Sequence, residues 1–305
     1  MERLDPRPLY DNAADARLLV SSEALAQALR ALESSLTVLI LGERGAGKTT
    51  LLNALSFELR QHKRPVRLLN VAEEESAADV LKRIAGTDSS DALQALAELG
   101  GEQPDLVILI DGLLGARVAY DLFGRMRDRL WELPFTWAAA VDALAADVVR
   151  APPADAFFPV VIEPPRLNEQ QRRALLSKRL PDRSKSLIAE IAAVGPENPR
   201  RLLDVARRVI VDQIPVSVAA NLDAVQRAAQ LGRPHSTLFA ELEAIGEASP
   251  TDAELMRRMG WTRQRISKVL EELEAEGLVS ARDERQTVRG RPRRLYRVTA
   301  PWVPS

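Results

Sequence analysis

The fold of this chain is decided by the stretch Leu36-Thr-Val-Leu-Ile-Leu41 and by the loop that follows it, Gly42-Glu43-Arg44-Gly45-Ala46-Gly47-Lys48-Thr49. The first stretch is an almost continuous apolar run, which is typical of a β-strand covered on both faces of a sheet. After the loop, residues 48–61 have the spacing of a helix. A buried strand, a glycine-rich turn and a helix in this order predict the start of an α/β domain.

Four more apolar stretches predict the other strands of this domain, at residues 66–71, 106–110, 135–141 and 158–162. Helical patterns lie between them, at residues 76–85, 90–99 and 116–131. Strands that alternate with helices along the chain indicate a parallel sheet. The fold class predicted for the first part of the chain is therefore α/β with a parallel sheet.

The loop fits the pattern G-x-x-x-x-G-K-[ST] without a mismatch. Its glycines allow successive backbone N–H groups to converge on phosphates, and the positive end of the next helix points at the same anion. Lys48 is expected to reach the β- and γ-phosphates, and the hydroxyl of Thr49 to bind Mg²⁺. We therefore predict that residues 42–49, with Thr50, bind ATP and Mg²⁺. The alternative is a glycine-rich turn with a chance lysine, in a chain of only six lysines.

An acidic residue follows the third predicted strand, as Leu106-Val-Ile-Leu-Ile110-Asp111. This is the pattern of an aspartate that holds Mg²⁺ in a P-loop NTPase, and an Asp-Gly turn after a core strand is the alternative. Gly112 stands where a glutamate would orient the attacking water, so hydrolysis is expected to be slow, absent or supported from elsewhere. Asp142, which ends the fourth strand, is a candidate for that support, with a helix cap as the alternative.

The second half of the chain shows a different pattern. After Pro164-Pro165 four helices are expected, at residues 168–180, 184–193, 199–212 and 217–231. Three more follow at 236–247, 251–259 and 262–276, and then two short strands joined by an arginine-rich loop. Three helices with a terminal hairpin predict a winged helix-turn-helix. The predicted domains are the nucleotide-binding domain (1–165), a helical lid (166–232) and the winged helix-turn-helix (233–305).

The C-terminal domain carries candidate DNA-binding residues. The helix that would enter a major groove opens with long hydrogen-bond donors, at Thr262, Arg263, Gln264, Arg265 and Lys268. The expected wing adds Arg289, Arg291, Arg293 and Arg294. Residues 282–297 hold seven arginines and two acids, a net charge of +5 in a chain whose total is −1. These features predict binding to double-stranded DNA, and a winged fold used for protein contacts is the alternative.

Composition excludes several classes of protein. The 305 residues include no cysteine and two histidines, His62 and His235, which excludes a disulfide scaffold, thiolate metal sites and a histidine-rich metal site. The longest apolar runs fall far short of the ~18 residues that a membrane helix needs. No secretory leader opens the sequence. We therefore expect a cytoplasmic protein with no membrane partner.

The order of these features resembles an AAA+ ATPase. The phosphate loop, the Asp111 strand, the strand ending at Asp142 and the helical region after residue 165 occur in that family's order. With a C-terminal winged helix, the chain resembles the origin-recognition and initiator branch. The resemblance implies that Gly195-Pro-Glu-Asn-Pro-Arg-Arg-Leu202 is a sensor 2 segment, whose arginine (Arg200 before Arg201) contacts the γ-phosphate. A basic first turn of a solvated helix is the alternative.

The same resemblance bears on assembly and catalysis. Arg150 sits where the family keeps an arginine finger for a neighbour's nucleotide, which implies a nucleotide-dependent homo-oligomer, and a plain surface arginine is the alternative. Asp142 replaces the family's usual uncharged sensor 1 residue. Asp111-Gly112-Leu113 also resembles the start of a motif in NACHT-type signal-transduction NTPases, which continue with two acids where this chain has Leu114 and Gly115.

The predicted function is an ATP-controlled DNA-binding switch with weak hydrolysis. Its task could be replication initiation, regulation of a transposase as partner enzyme, or a mobile-element or defence role. The alternatives are a transcription regulator that binds nucleotide as a static ligand and a signal-transduction NTPase whose winged helix serves packing.

Overall fold

A computed structural model describes residues 4, 22–71, 75–89, 91–113, 116–284 and 293–299 of the chain. It divides into two compact units. We call the first the sheet unit, which consists of Asp5–Lys178 and Glu197–Arg200. We call the second the helical unit, which consists of Met1–Leu4, Arg179–Pro196 and Arg201–Ser305. The predicted division into three domains stays a prediction.

The sheet unit is built on a five-stranded parallel sheet with the strand order β2-β3-β4-β1-β5. The strands are β1 (Val38–Gly42), β2 (Val66–Asn70), β3 (Val107–Leu113), β4 (Thr136–Asp142) and β5 (Val160–Ile162). All five predicted strands are present, and the predicted parallel sheet is confirmed. Buried side chains cover both of its faces: Leu39 and Leu41 point into one apolar cluster, and Val38 and Ile40 into the other. This two-sided burial explains the continuous apolar run.

In the described residues, seven α-helices lie before β5 and one follows it directly. They are α1 (Ser22–Glu33), α2 (Lys48–Gln61), α3 (Ala77–Ala85), α4 (Ala92–Glu102), α5 (Ala116–Tyr120), α6 (Arg127–Trp131) and α7 (Ala146–Val149), and α8 (Glu169–Arg179) follows β5. Two features differ from the sequence prediction. Helix α1 was not expected, and the single helix expected over 116–131 is interrupted by a π-helical turn at Asp121–Arg125.

Short 3₁₀ turns at Ala143–Ala145 and Asp155–Phe157 complete the connections between β4 and β5. In the part of the chain that the structure describes, no helix combines the length and the apolarity needed to cross a bilayer.

The helical unit contains α9 (Lys185–Val194), most of α10 (Pro199–Ile210), α11 (Val216–Leu231), α12 (Arg233–Ile245), α13 (Ala253–Met259) and α14 (Arg263–Ala275). A three-stranded antiparallel sheet joins them, in the order β6 (Glu247–Ala248), β8 (Arg293–Val298), β7 (Val279–Glu284). Helix α10 is shared: Pro199 and Arg200 belong to the sheet unit and its remaining residues to the helical unit.

Two predicted details of the helical unit were wrong. The helix expected over 217–231, with Ser217 as its cap, begins instead at Val216 with Pro215 at the N-cap position. The two C-terminal strands, expected at residues 278–280 and 295–299, are longer, so Arg293 and Arg294 lie on β8 and not in the connecting loop. The core of this part is apolar, with Phe239, Leu270 and Tyr296 among its members.

Candidate functional site

The loop between β1 and α2 has the backbone of an anion-binding turn. Gly45 and Gly47 have φ angles of +87° and +98°, which residues other than glycine rarely adopt. Gly47 is the N-cap residue of α2 and contributes no side-chain cap. The first N–H groups of this 14-residue helix are therefore free of a side-chain acceptor, and they point in the direction that favours an anion.

Lys48 is the cation of this turn. Its Nζ donates to the carbonyl oxygens of Gly42 and Glu43, at 2.6 and 2.9 Å, and lies 3.7 Å from Oδ2 of Asp142. Burial lowers the pKa of Lys48, while the charges of Asp142 and Asp111 act in the opposite direction. The ammonium group is thus held inside the loop by backbone oxygens that a phosphate oxygen could replace.

The two predicted acids lie at the carboxyl ends of neighbouring strands. In the sheet register Asp142 pairs with Gly42, and Asp111 pairs with Asn70. Asp142 is buried, while Asp111 and Thr49, the second residue of α2, are half-buried. The structure therefore brings Lys48, Asp111 and Asp142 together at the edge of the sheet where ligands of open α/β sheets bind.

Gly112 is required by the backbone at this edge. Its φ is +82°, and a Cβ atom there would lie 2.6 Å from both Asn70 Oδ1 and the carbonyl oxygen of Val71. The residue also falls in an irregularity of the β3–β4 pairing between Ile110 and Leu113. A glutamate cannot occupy position 112 without a backbone shift, and this gives a physical reason for the missing base.

The segment before α10 is part of the same site. Arg200 is close enough to affect the pKa of Lys48, and a Cβ on Gly45 would lie 2.5 Å from Cβ of Arg200. Nε of Arg200 is buried without a hydrogen-bond partner. The structure thus places the predicted sensor arginine beside the phosphate loop.

Asn198 was missed by the sequence reasoning. It is 6% exposed, and its Nδ2 donates to Oε1 of Glu43 and to the carbonyl oxygen of Arg44, at 2.9 and 3.1 Å. Its Oδ1 accepts the N–H of Arg200 at 3.0 Å. The sequence around Asn198 indicates only a helix cap, because asparagine is a preferred residue directly before the first turn of a helix. The contacts with the loop span more than 150 positions.

Arg150 is not brought to the loop by any contact that the structure describes. It is exposed at the C-cap of α7, where its N–H donates to the carbonyl oxygen of Ala146 at 2.8 Å. Its assignment as an arginine finger stays a prediction.

The start of α14 presents a cluster of exposed donors. Thr262 caps the helix by accepting the N–H of Arg265, at 3.4 Å, and the guanidinium of Arg265 lies 4.1 Å above the ring of Trp261. The exposed polar residues of this end are Arg263, Gln264, Arg265 and Lys268. The opposite face of the helix is buried through Ile266, Val269, Leu270 and Leu273.

The acids in the second half of α14 have basic partners within the helical unit. Glu272 lies 2.7 Å from Nε2 of His235, Glu274 accepts from Arg294 at 2.7 Å, and Glu276 lies 3.3 Å from Arg227. Arg227 and Arg294 offset part of the acidic charge of the helix. At the helix start Arg263 and Arg265 are exposed, and Lys268 lies 3.9 Å from Oε1 of Glu272.

The four predicted wing arginines divide into two pairs. Arg293 donates to Ser249 and Asp252, at 2.8 and 3.2 Å, and Arg294 donates to Glu274, so both are engaged within the fold. Arg289 and Arg291 lie outside the described residues.

The residues at the loop fit a nucleotide with Mg²⁺. The uncapped start of α2, the ammonium of Lys48 and the stem of Arg200 converge on one place, where they would attract the negative charge of a phosphate chain. Mg²⁺ usually binds one or two carboxylates together with phosphate oxygens and water. At this site the carboxylate of Asp111 and the hydroxyl of Thr49 would be the protein ligands.

Comparisons with known proteins find a family model that matches part of the sequence and solved structures that share the fold. The family model Novel STAND NTPase 3 matches residues 19–121, which are 103 of the 305 residues. The chain is similar in structure to the Walker-type ATPase paby2304 of Pyrococcus abyssi, with a TM-score of 0.57, 16% identity and coverage of 97% of each chain.

Two proteins of Aeropyrum pernix are also similar. The ORC2 protein in its ADP form has a TM-score of 0.51 and 18% identity, over 92% of this chain and 90% of that one. The ORC1 protein in complex with DNA has a TM-score of 0.46 and 18% identity, over 92% and 89%. No curated protein sequence matches this chain significantly. At these identities a likeness shows the fold alone, which here is the fold shared with the Walker-type ATPase and the ORC2 protein.

Proposed function

We propose that this chain is an ATP-binding protein that acts as a nucleotide-controlled DNA-binding switch of the origin-recognition type or a regulator of a transposition, mobile-element or defence system. The observation that carries the proposal is the phosphate loop, in which Lys48 lies between two backbone carbonyls and two carboxylates. A Mg²⁺-bound triphosphate would complete this arrangement, with Lys48 on its phosphates and the carboxylates near its Mg²⁺.

Nucleotide binding is tested by titrating the full chain with a fluorescent ATP analogue and Mg²⁺. Lys48→Ala should abolish binding, because the backbone oxygens of the loop hold this ammonium group where the phosphates would bind. Lys185→Ala is the matched control, since Lys185 is exposed at the start of α9. Equal binding by Lys48→Ala and the wild type would refute the assignment of the site.

Hydrolysis is expected to be slow. Asp111 and Thr49 would hold Mg²⁺, while Gly112 leaves no base beside Asp111, and the buried Asp142 is engaged by Lys48 at 3.7 Å. A steady-state phosphate-release assay measures this property, and turnover comparable to that of a motor ATPase would contradict it.

The DNA-binding part of the proposal rests on the helical unit. Helices α12 to α14 with strands β6 to β8 provide the elements of a winged helix-turn-helix, with α14 as the helix that enters the major groove. Its exposed start offers Arg263, Gln264 and Arg265, which have the donors needed to read base edges. Stacking of Arg265 on Trp261 restricts its side chain before DNA binds, which lowers the entropy cost of the contact.

Duplex binding is tested by fluorescence anisotropy at several salt concentrations, with ATP, with ADP and without nucleotide. Arg263→Ala combined with Arg265→Ala should weaken binding and flatten the log–log salt slope by about 0.9 for each phosphate that is no longer neutralised. Arg30→Ala with Arg60→Ala removes the same charge from exposed positions of the sheet unit. An equal effect of both pairs would show a non-specific charge effect and would exclude α14 as the reading helix.

The switch itself would link these two sites. Helix α10 begins in the sheet unit at Pro199 and ends in the helical unit at Ile210, so the chain passes from one unit to the other within this helix. Arg150 would complete a neighbour's site in a nucleotide-dependent homo-oligomer. Sedimentation of the wild type and of Arg150→Ala with ATP tests that assembly.

A signal-transduction NTPase is the second candidate, and it is favoured by the match of residues 19–121 to a STAND NTPase family model. The internal pairing of Arg293 and Arg294 also agrees with a terminal domain used for packing. This candidate predicts no duplex affinity at low salt and no effect of the Arg263 and Arg265 substitutions. A regulator that binds nucleotide as a static ligand predicts nucleotide-dependent DNA affinity without any hydrolysis.

A further inference from the structure

One asparagine connects the phosphate loop with the arginine that lies beside it. The side-chain amide of Asn198 spends both of its donors on the loop, at Glu43 and Arg44, and its oxygen on the N–H of Arg200. All of these residues belong to the sheet unit. Because the amide is buried, each of these bonds would be costly to leave unmade.

The contacts with the loop exceed what a helix cap requires. A cap needs only the acceptor that Asn198 offers to Arg200. The two donors reach residues that precede Asn198 by more than 150 positions, and one of them holds the carboxylate of Glu43 beside a site for anions. A Cβ atom on Gly45 would lie only 2.8 Å from Oδ1 of Asn198, so the amide packs closely against the loop.

We propose that Asn198 is a positioning residue that fixes Arg200 relative to the phosphate loop and thereby sets the preference of the site for ATP over ADP. The inference rests on the nucleotide binding proposed above. Arg200 is already beside the loop, and its Nε has no hydrogen-bond partner. Its head can follow a third phosphate only if its backbone keeps this distance from the loop. Removal of the amide should therefore weaken the binding of ATP more than that of ADP.

Two substitutions separate this role from capping. Asn198→Ser keeps an acceptor that caps a helix as well as asparagine does, but it is too short and has too few donors to hold Glu43 and Arg44. Asn198→Ala removes the cap as well. Asn168→Ala is the matched control. Oδ1 of Asn168 accepts the N–H of Gln171 at the start of α8, so this residue is a helix cap that is not bonded to the phosphate loop.

The experiment measures the affinities of fluorescent ATP and ADP for the full chain in each variant. Asn198→Ser and Asn198→Ala should both lower the ratio of ATP to ADP affinity by about tenfold, the effect of removing one hydrogen bond to a charged group. Asn168→Ala should leave the ratio unchanged. Asn198→Ser should keep a single cooperative thermal unfolding transition, which shows that the fold is retained, at a somewhat lower Tm because two buried bonds are lost.

Two further readouts test the link itself. Hydrogen exchange of the first turn of α10 should slow on ATP binding in the wild type and not in Asn198→Ser. Glu43→Ala and Asn198→Ser should be non-additive in ATP affinity, because each breaks the same bond, and additive effects would overturn the inference.

The outcomes separate this inference from the function on which it rests. If the wild type binds no ATP, the nucleotide site itself is refuted. If the wild type binds ATP through Lys48 and Asn198→Ser keeps the wild-type ratio, Asn198 is only a cap and this inference alone is overturned.

Discussion

Substitution of Gly112 by alanine tests the physical reason for the missing catalytic glutamate. A φ of +82° costs a residue with a side chain about 1–2 kcal/mol. The new Cβ would also lie 2.6 Å from the carbonyl oxygen of Val71, and forcing an extra methyl group into a packed site costs roughly 1–3 kcal/mol. We therefore expect Gly112→Ala to lower the free energy of unfolding of the sheet unit by about 2–5 kcal/mol.

Hydrogen exchange of the β3 amides is the suitable assay, because it reports the opening of this sheet independently of the helical unit. Gly101→Ala is the control: Gly101 lies in α4 with no atom within 4 Å of the new Cβ, and alanine there should stabilise by up to about 1 kcal/mol. Gly112→Glu should be as destabilising as Gly112→Ala and should not increase hydrolysis. Unchanged protection of β3 in Gly112→Ala, within about 0.5 kcal/mol, would refute the steric argument.

Three further outcomes are expected. Gly45→Ala should lower ATP affinity by at least about tenfold in a fluorescent-nucleotide titration. Position 45 has a φ of +87°, and the new Cβ would lie 2.5 Å from Cβ of Arg200. Unchanged affinity would show that the loop adapts to the side chain. ATP affinity should fall as the pH rises through the alkaline range below 10.5, because burial lowers the pKa of Lys48 and only its protonated form attracts phosphate. Lys48→Arg should remove this pH dependence, because arginine stays protonated. A wild-type affinity that stays constant up to pH 10.5 would contradict the lowered pKa. Arg293→Ala should destabilise the helical unit by about 1–3 kcal/mol, because it removes one donor from the buried Ser249 and the charged partner of the cap Asp252. Arg294→Ala breaks an exposed pair worth less than about 1 kcal/mol. Hydrogen exchange of β8 compares the two variants, and equal effects would contradict the structural role of Arg293.

The parts of the site that lie close together in the sequence could be predicted, and the rest could not. The phosphate loop and the strand ending at Asp111 are local patterns, and the structure places them as expected. The need for glycine at position 112 depends on Asn70 and Val71, which only the pairing of β2 with β3 brings near. The contacts of Asn198 depend on a segment more than 150 residues away from the loop.

The helical unit shows the same limit. Arginines near the C-terminus suggested a DNA-binding wing, since a sequence shows charge but not its partners. The register of β8 places Arg293 beside Asp252 and Arg294 beside Glu274, so two of the four arginines contribute little free charge. The start of α14 was located correctly because its cap and its apolar face are local signals.

Gly112 and Asn198 bear on different stages of the proposed nucleotide cycle, and together they favour a switch over a motor. A motor gains from rapid hydrolysis, which needs a base beside Asp111, and the backbone at Gly112 leaves no room for one. A switch gains from two long-lived states that differ in their binding energy, because a ligand shifts a conformational equilibrium only by its differential affinity for the two states. In the proposed cycle, a residue that ties Arg200 to the phosphate loop would supply such a difference at the third phosphate, and slow hydrolysis would give the ATP-bound state time to act on DNA.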